Sequence, residues 1–478
     1  MNLNPRISRP LLEILTSEAQ LGGAFVVGGF VRDALMEEVS KDFDVEVFGL
    51  SLEALIQVLK RYGTVSLVGK SFGVIKVTVR SGETYDFSLP RRDSKVGKGH
   101  RGFAITVDPS MSPADAVTRR DFTLNALLYD PRRQLVFDYC GGLDDLEAKV
   151  LREVDRRTFG DDPLRVLRAM QFIARFDLSP SVSLVACARS MQGDYQELAR
   201  ERVCEEWMKW AATSRRPSAG LAFLRATRWL SHFPVIQSIV GVEQDPEWHP
   251  EGDVFEHTLH CCDALVQLPQ WRGLGREDRM VSLLAVLLHD VGKASTSVVT
   301  HIEGRRRITS HGHERASAEG TERFLKDLGM SQSVQRRVIP LVANHMVHFE
   351  TPTPRAVRRL ASRLAPETIE GLGLVMTADS FGRPPKPKKV PESLARLLAM
   401  ARDMALAVDK PSPLMRGRDL VARGYPPGKT LGRMLDQAFE AQLDGAFSTR
   451  EGAWEWLRRR FPREASPPRT PSPDLGNR

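Results

Sequence analysis

The chain has 478 residues, 42% of them apolar and 27% charged, which are the proportions of a globular protein long enough for several cores. Its net charge of +8 favours an acidic partner, and a nucleic acid is the simplest one. The longest apolar run, Leu283 to Leu288, is far too short to span a bilayer, and the five cysteines show neither zinc-ribbon nor disulfide-framework spacing.

The N-terminal MNLNPRISRP has no signal-peptide apolar core, so a cytoplasmic protein without membrane contact is expected. From residue 20 to about 140, β-rich runs (AFVVGG, DFDVEVFG, TVSLVG, GVIKVTV, ETYDFSL, QLVFDYC) alternate with helical patterns at 30–37 and 51–62, predicting a mixed α/β unit. Within it, Phe25 to Val27 runs as a strand into Gly28-Gly29, and a helix carrying Arg32 and Asp33 follows. A second strand then presents Asp42 and Asp44 on one face, with Phe43 turned to the other. Adjacent carboxylates repel unless cations lie between them, and Mg²⁺ takes carboxylate and phosphate oxygens together. Paired glycines let a backbone approach a triphosphate, and a helix start offers it N–H groups. A lone Asp-x-Asp on a strand is more often a solvated face, and a lone Gly-Gly a turn; the combination is what points to two-metal nucleotidyl transfer. Asp86, on a later strand, is a candidate third metal-facing carboxylate.

Next comes LPRRDSKVGKGHRGF, residues 89–103, basic, glycine-rich and expected to be irregular. In TRRDFTLNALLYD, residues 118–130, Arg120 and Asp121 precede an apolar run that anchors them. In DDPLRVLRAMQFIARF, residues 161–176, Pro163 suits a helix's first turn and Asp162 its N-cap, while Arg165 and Arg168 share a face. Capping alone would account for Asp162. From residue 143 to 460 the pattern is almost wholly amphipathic helix, with turns expected at Pro180, Pro217, Pro234 and Pro250. RPPKPKKVP, residues 383–391, is expected to be an exposed basic loop, and residues 463–478 a disordered tail. Nine of the eleven histidines fall between 249 and 348, with His289-Asp290 closing an apolar helix, His257 upstream and Asp379 downstream.

The glycine pair, Asp42-x-Asp44, Arg120-Asp121 and Asp162-x-x-Arg165, in this order, resemble the signature of polymerase-beta-type nucleotidyltransferases. More narrowly they resemble class II tRNA nucleotidyltransferases (CCA-adding enzymes) and their relatives the bacterial poly(A) polymerases. The histidine-rich part resembles an HD phosphohydrolase domain. The resemblance implies an α+β protein: a polymerase-beta-like head (1–145), an all-α neck and body binding RNA and nucleobase (146–250), an α-helical HD domain (251–405), a helical tail (406–462) and the disordered end. It implies tRNA, CTP and ATP as partners, and catalytic Asp42 and Asp44 holding Mg²⁺. Gly29, Arg32, Arg120, Asp121 and Arg168 would serve the triphosphate, ribose and pocket geometry. Asp162 and Arg165 would act as an amino-acid template for the base, with Asp161 standing where many relatives have Glu. Cytosine and adenine offer an exocyclic amino donor beside a ring-nitrogen acceptor, so a carboxylate and a guanidinium together accept them and reject uracil and guanine. His257, His289, Asp290 and Asp379 would bind a transition metal such as Ni²⁺, Co²⁺ or Mn²⁺, for an accessory phosphohydrolase activity.

The nearest alternative is a poly(A) polymerase; that group tends to carry a doubly basic pair where LVGKSFGVIKV has Lys70-Ser71. CC-adding or A-adding partial enzymes are the next. CC-adding relatives typically lack a functional flexible loop before Arg-Arg-Asp. The loop here, with Arg91, Arg92, Asp93, Lys95, Lys98 and Arg101, leads us to expect the full CCA sequence.

Overall fold

The computed structural model describes residues 2–40, 42–68, 74–95, 103–302 and 304–462. In the head, β1 (Ala24–Val27) leads into the helix Gly29–Leu35; β2 (Asp44–Val47), the helix Leu52–Leu59, β3 (Gly63–Val68), β4 (Val74–Val79) and β5 (Thr84–Ser88) follow. A hairpin of β6 (Arg91–Lys95) and β7 (Phe103–Val107) then precedes β8 (Leu128–Asp130) and β9 (Leu135–Phe137). Seven strands form one sheet in the order β3-β4-β5-β2-β1-β8-β9. Only β2 and β5 run parallel among these neighbours.

Side-chain alternation assigns the two faces. Val26, Val45, Val47, Ile75, Val77 and Phe87 turn inward beneath Leu11, Ile14 and Leu15 of the helix Arg9–Ser17 and Leu55, Val58 and Leu59 of Leu52–Leu59. Each such burial is worth about 1.5–3 kcal/mol. Phe25 and Val27 lie on the opposite face, and directly across the ladder from them stand Glu46 and Asp44. A one-residue slip of β2 would drive both acids into the core, so the apolar face fixes the position of the acidic one.

Two expectations for the head need correction. Asp42 is not on the strand: β2 begins at Asp44, which pairs with Val27, the last residue of β1. Beyond that pair the chain turns away at Gly28, whose φ of +70° is easy only for glycine, so Asp42 finds no ladder partner on β1. Phe43 does face away from the acids, packing on Phe30 and Tyr85 with ring centroids 4.8 and 6.1 Å apart. Segment 89–103 was expected to be irregular, but its arms belong to the β6–β7 hairpin, because Phe103–Val107 is rich in strand-favouring residues. Its Gly97, Lys98, Gly99, Arg101 and Gly102 lie outside the described residues, as do Lys70, Ser71 and the end 463–478.

The remainder is mainly helical, with two strand pairs that the helical pattern did not reveal. β10 (Val150–Leu151) runs parallel to β11 (Ser179–Pro180), and β12 (Val298–Ile302) pairs antiparallel with β13 (Arg305–Thr309). Pro217 and Pro234 begin helices rather than turns, at the position where a missing N–H costs nothing. Buried apolar residues from Phe122 to Ala407 form one continuous cluster. At its centre the helix Arg276–Leu288 is buried on every side from Met280 to Leu288, which explains the chain's longest apolar run. The 383–391 string is a loop between the helices Ile369–Phe381 and Glu392–Asp403. A small separate core gathers Leu420, Trp454 and Leu457. Among the described residues no helix is long and apolar enough to cross a membrane.

Candidate active site and metal centre

The acidic face of the head sheet sets Asp44 in register with Asp86 on the parallel strand β5. Lys76, across β4, reaches Asp86 at 3.2 Å. Asp42 and Asp44 are both solvent-exposed. The protein mass around Asp44 nevertheless raises its carboxyl above the usual range, and Asp86 adds to this; Arg120 only partly offsets it. Crowded acids of this kind are relieved by a divalent cation.

Two residues beyond Asp44, on the same face, Glu46 is fully buried and binds both arginines of the Arg-Arg-Asp string. Arg119 Nη2 lies 2.7 Å from one oxygen and Arg120 Nη2 3.0 Å from the other. Arg120 also donates to the Asn125 carbonyl at 3.2 Å, and its buried Nε–H has no acceptor. Asn125 donates to Asp121 at 2.9 Å, and Asp121 accepts Arg168 Nε at 2.8 Å. Burial would raise the Asp121 carboxyl, but Arg168 and the hydrogen bond from Asn125 hold it below its ordinary value. Arg32 is buried: it binds Asp33 Oδ1 at 2.8 Å and the Asn125 side chain, with its guanidinium 5.0 and 4.7 Å from the Phe172 and Phe176 rings. Gly28 leaves room for Arg120, whose Nη1 would stand 3.1 Å from any added Cβ, and Gly29 opens the following helix.

The helix Leu164–Phe176 brings in the third motif. Asp162 caps it, accepting the Leu164 N–H at 3.1 Å. The same carboxylate is gripped by Arg202, with Nη2 at 2.7 Å and Nη1 at 3.3 Å, from the helix Arg200–Thr213. Asp162 is therefore both a cap and a side chain held from outside its own helix. Arg165 donates to the carbonyls of Thr158 at 2.8 Å and Arg119 at 2.6 Å, which joins the helix Leu164–Phe176 to the arginine loop. Burial lowers its guanidinium below the ordinary arginine value.

In the helical half the four expected ligands converge. His257 Nε2 lies 3.1 Å from Asp379 Oδ1 and 3.5 Å from Asp290 Oδ2, and His289 Nε2 lies 3.3 Å from Asp290 Oδ2. Sequence reasoning missed His313 and His345, whose Nε2 atoms stand 3.2 and 3.7 Å from Asp290 Oδ1. Asp290 thus lies between two histidine pairs, one on each oxygen. His289, His313 and His345 each face a backbone carbonyl through Nδ1 at 2.7 Å, those of Val286, Ser310 and Val342. A carbonyl only accepts, so Nδ1 carries a proton in each ring, and Nε2 is left as the atom that can offer a lone pair inward. Glu251 plays that part for His257, at 2.6 Å from Nδ1. It also binds His249 at 2.8 Å. Burial would raise Glu251, but bonds from His249 and His257 bring it down to about 2. The buried His289 Nε2 has no hydrogen-bond partner, and His313 and His345 present Nε2 to Nε2 at 3.2 Å. Facing lone pairs of this kind fit a cation, and an imidazole fixed through its other nitrogen is the usual form of a metal-bound histidine. Lys293, 2.7 Å from Asp290, and Arg383, 2.6 Å from Asp379, line a pocket of about 420 Å³ above the cluster.

Several of these residues were within reach of sequence reasoning. Glu46 follows from the same alternation that selected Asp44, and His313 and His345 sit in His-rich strings at a helix start and end. Arg202, forty positions from Asp162, gives no local sign.

Residues 24–152 match the model of the poly A polymerase head domain, and residues 254–383 that of the HD domain. The multifunctional CCA protein of Xanthomonas campestris pv. campestris is 33% identical over 401 residues, covering 80% of this chain and 92% of its own. That of Xanthomonas euvesicatoria pv. vesicatoria is 33% identical over 437 residues, covering 88% and 98%. In fold the chain is similar to the Bacillus stearothermophilus CCA-adding enzyme in complex with CTP, with a TM-score of 0.60 at 20% identity over 95% and 98% of the two chains. It is similar also to the Thermotoga maritima CCA-adding enzyme complexed with tRNA, with a TM-score of 0.55 at 18% identity over 96% and 98%. Identity at this level across nearly the whole length, with both domain types in the same order, places the chain in the family of multifunctional CCA proteins.

Proposed function

We propose that the chain completes the 3′ end of tRNA with CCA, taking CTP and ATP and copying no nucleic-acid template. The observation that carries this reading is the unbroken series of bonds from Glu46 through Arg120, Asn125 and Asp121 to Arg168. It fastens the carboxylate strand, the arginine loop and the base-selecting helix into one wall. Fold relatives captured with CTP, with ATP and with tRNA support it. Asp42 and Asp44 would hold two Mg²⁺ ions, with Asp86 beside them. Mg²⁺ held there would supply the positive charge that lowers the pKa of the tRNA 3′-hydroxyl for in-line attack on the α-phosphate and offsets the charge of the departing pyrophosphate. Gly29 and Arg120 receive the triphosphate, Asp121 lies at the ribose, and Arg32 and Arg168 hold the shape of the pocket. Asp162, steadied by Arg202, accepts from the amino group of cytosine or adenine, and Arg165 donates to the neighbouring ring nitrogen. The helical body, with its arginines, clasps the tRNA through phosphate and shape.

In the HD domain, His257, His289, Asp290 and Asp379 would hold one transition-metal ion, and Asp290, His313 and His345 a second. Such ions supply an activated water for phosphoester hydrolysis. Lys293 and Arg383 are placed at the pocket wall to meet the phosphate. The test is incubation of the protein with tRNA lacking its 3′ end and each labelled nucleotide singly. Label should enter from CTP, from ATP only after CTP, and not from UTP or GTP; incorporation of UTP as readily as CTP would overturn the template reading.

A further inference from the structure

One buried thiol stands inside the HD cluster. Cys261 follows His257 by four residues on the helix Val254–Gln267, so the two share a helix face. Its Sγ lies 3.3 Å from His257 Nε2, and one ligand atom each of His257, Cys261, His289 and Asp379 falls within 4.8 Å of all the others. The thiol is fully buried, and the orphaned Nε2 of His289 is directed into the same space. Gly382, just beyond the helix bearing Asp379, presses on this spot: a Cβ there would stand 2.3 Å from Sγ, so only glycine allows the approach. The adjacent Cys262 is equally buried but belongs to none of the metal-competent groups among the described residues.

We propose that Cys261 is a further ligand of the ion held by His257, His289, Asp290 and Asp379, and that its sulfur makes this position selective for Zn²⁺ or Co²⁺ over Mg²⁺ and Mn²⁺. The proposal rests on the HD metal reading above. Soft thiolate favours the later, softer ions, whereas Mg²⁺ and Mn²⁺ prefer oxygen. Coordination forms a sulfur–metal bond and releases the thiol proton to solvent, leaving no change of oxidation state. The second position, built from Asp290, His313 and His345, has only nitrogen and oxygen donors and lacks this selectivity. The two ions of one centre therefore differ in exchangeability.

The experiment is Co²⁺ reconstitution of the full chain after chelation, followed by near-ultraviolet absorption and metal analysis. The wild-type protein should show an intense sulfur-to-cobalt charge-transfer band. Cys261→Ser should lose that band and bind the ion on the order of 10–100-fold more weakly, the range that even outer-shell losses reach. Cys262→Ser should keep both. X-ray absorption of the Zn²⁺-loaded wild type needs no variant: it should report sulfur at about 2.3 Å beside nitrogen or oxygen at about 2.0–2.2 Å. If Co²⁺ binds in a manner abolished by His289→Ala, yet neither band nor sulfur shell appears, the HD reading stands and the thiol ligand is wrong. If the wild type binds no more Co²⁺ than His289→Ala does, the HD reading itself falls, and this proposal with it.

Discussion

The head and the HD centre both collect carboxylates, but they treat the charge in opposite ways. At the start of β2, Asp44 and the preceding Asp42 are open to solvent, with further acids and, among the described residues, no imidazole beside them. In the HD bundle Asp290 is 2% exposed and surrounded by four imidazoles and a lysine. The first arrangement suits a hard ion that arrives and leaves with a nucleotide; the second suits a borderline ion that stays. The difference originates in the scaffold. The first residue of β2 is exposed where its partner strand ends, although both faces of the strand beyond it are covered, while a helix buried on all sides can only deliver its terminal residues into the interior.

The largest effect should come from cutting the head site alone. Asp44→Ala or Asp42→Ala should reduce nucleotide addition to background while leaving tRNA affinity nearly unchanged, as filter binding and primer extension would report. Near-native turnover in Mg²⁺ would remove the metal assignment. The complementary cut is His289→Ala with Asp290→Ala, which should abolish metal-dependent hydrolysis of a phosphomonoester and spare addition. Joint loss of both activities in a protein still folded by circular dichroism would mean that the two centres are not independent.

Smaller changes sharpen the account of the head. Glu46→Ala leaves two arginines around an empty, fully buried position, so denaturant melts should record a loss of roughly 3–5 kcal/mol. Arg202→Ala should loosen base choice without removing activity, since it only steadies Asp162; Asp162→Asn and Arg165→Ala should loosen it further. Unchanged discrimination against UTP in all three would leave Asp162 as a helix cap and no more. The mildest prediction concerns acid. The Asp121 carboxyl is held below its unfolded value of about 3.9. Its contribution is therefore complete above that pH and is lost as pH falls through the lower folded value. The stability gap between wild type and Asp121→Asn should be wide at neutral pH and should shrink as the pH is taken down below the unfolded value of about 3.9.

Legibility in the sequence followed locality. Asp44 and the outward turn of Phe43 could be read because a strand's alternation is set by adjacent residues, and His289-Asp290 because an apolar helix ends there. Arg202 could not, since it acts on a partner that is near only after folding. The β6–β7 and β12–β13 hairpins were obscured by their basic residues, which masked strand preferences carried by Phe103–Val107 and by Val298, Val299 and Thr300. Asp42 shows the limit of alternation itself: the pattern continues past the point where the partner strand stops.

The most direct test of the central claim uses a tRNA ending at its discriminator base, with CTP, ATP and Mg²⁺, resolved at single-nucleotide length. The account predicts a product that ends in CCA and grows no further. A product stalled at CC, no growth until CC is already present, or a long run of A would each contradict it, and would respectively make the chain a CC-adding enzyme, an A-adding enzyme or a poly(A) polymerase.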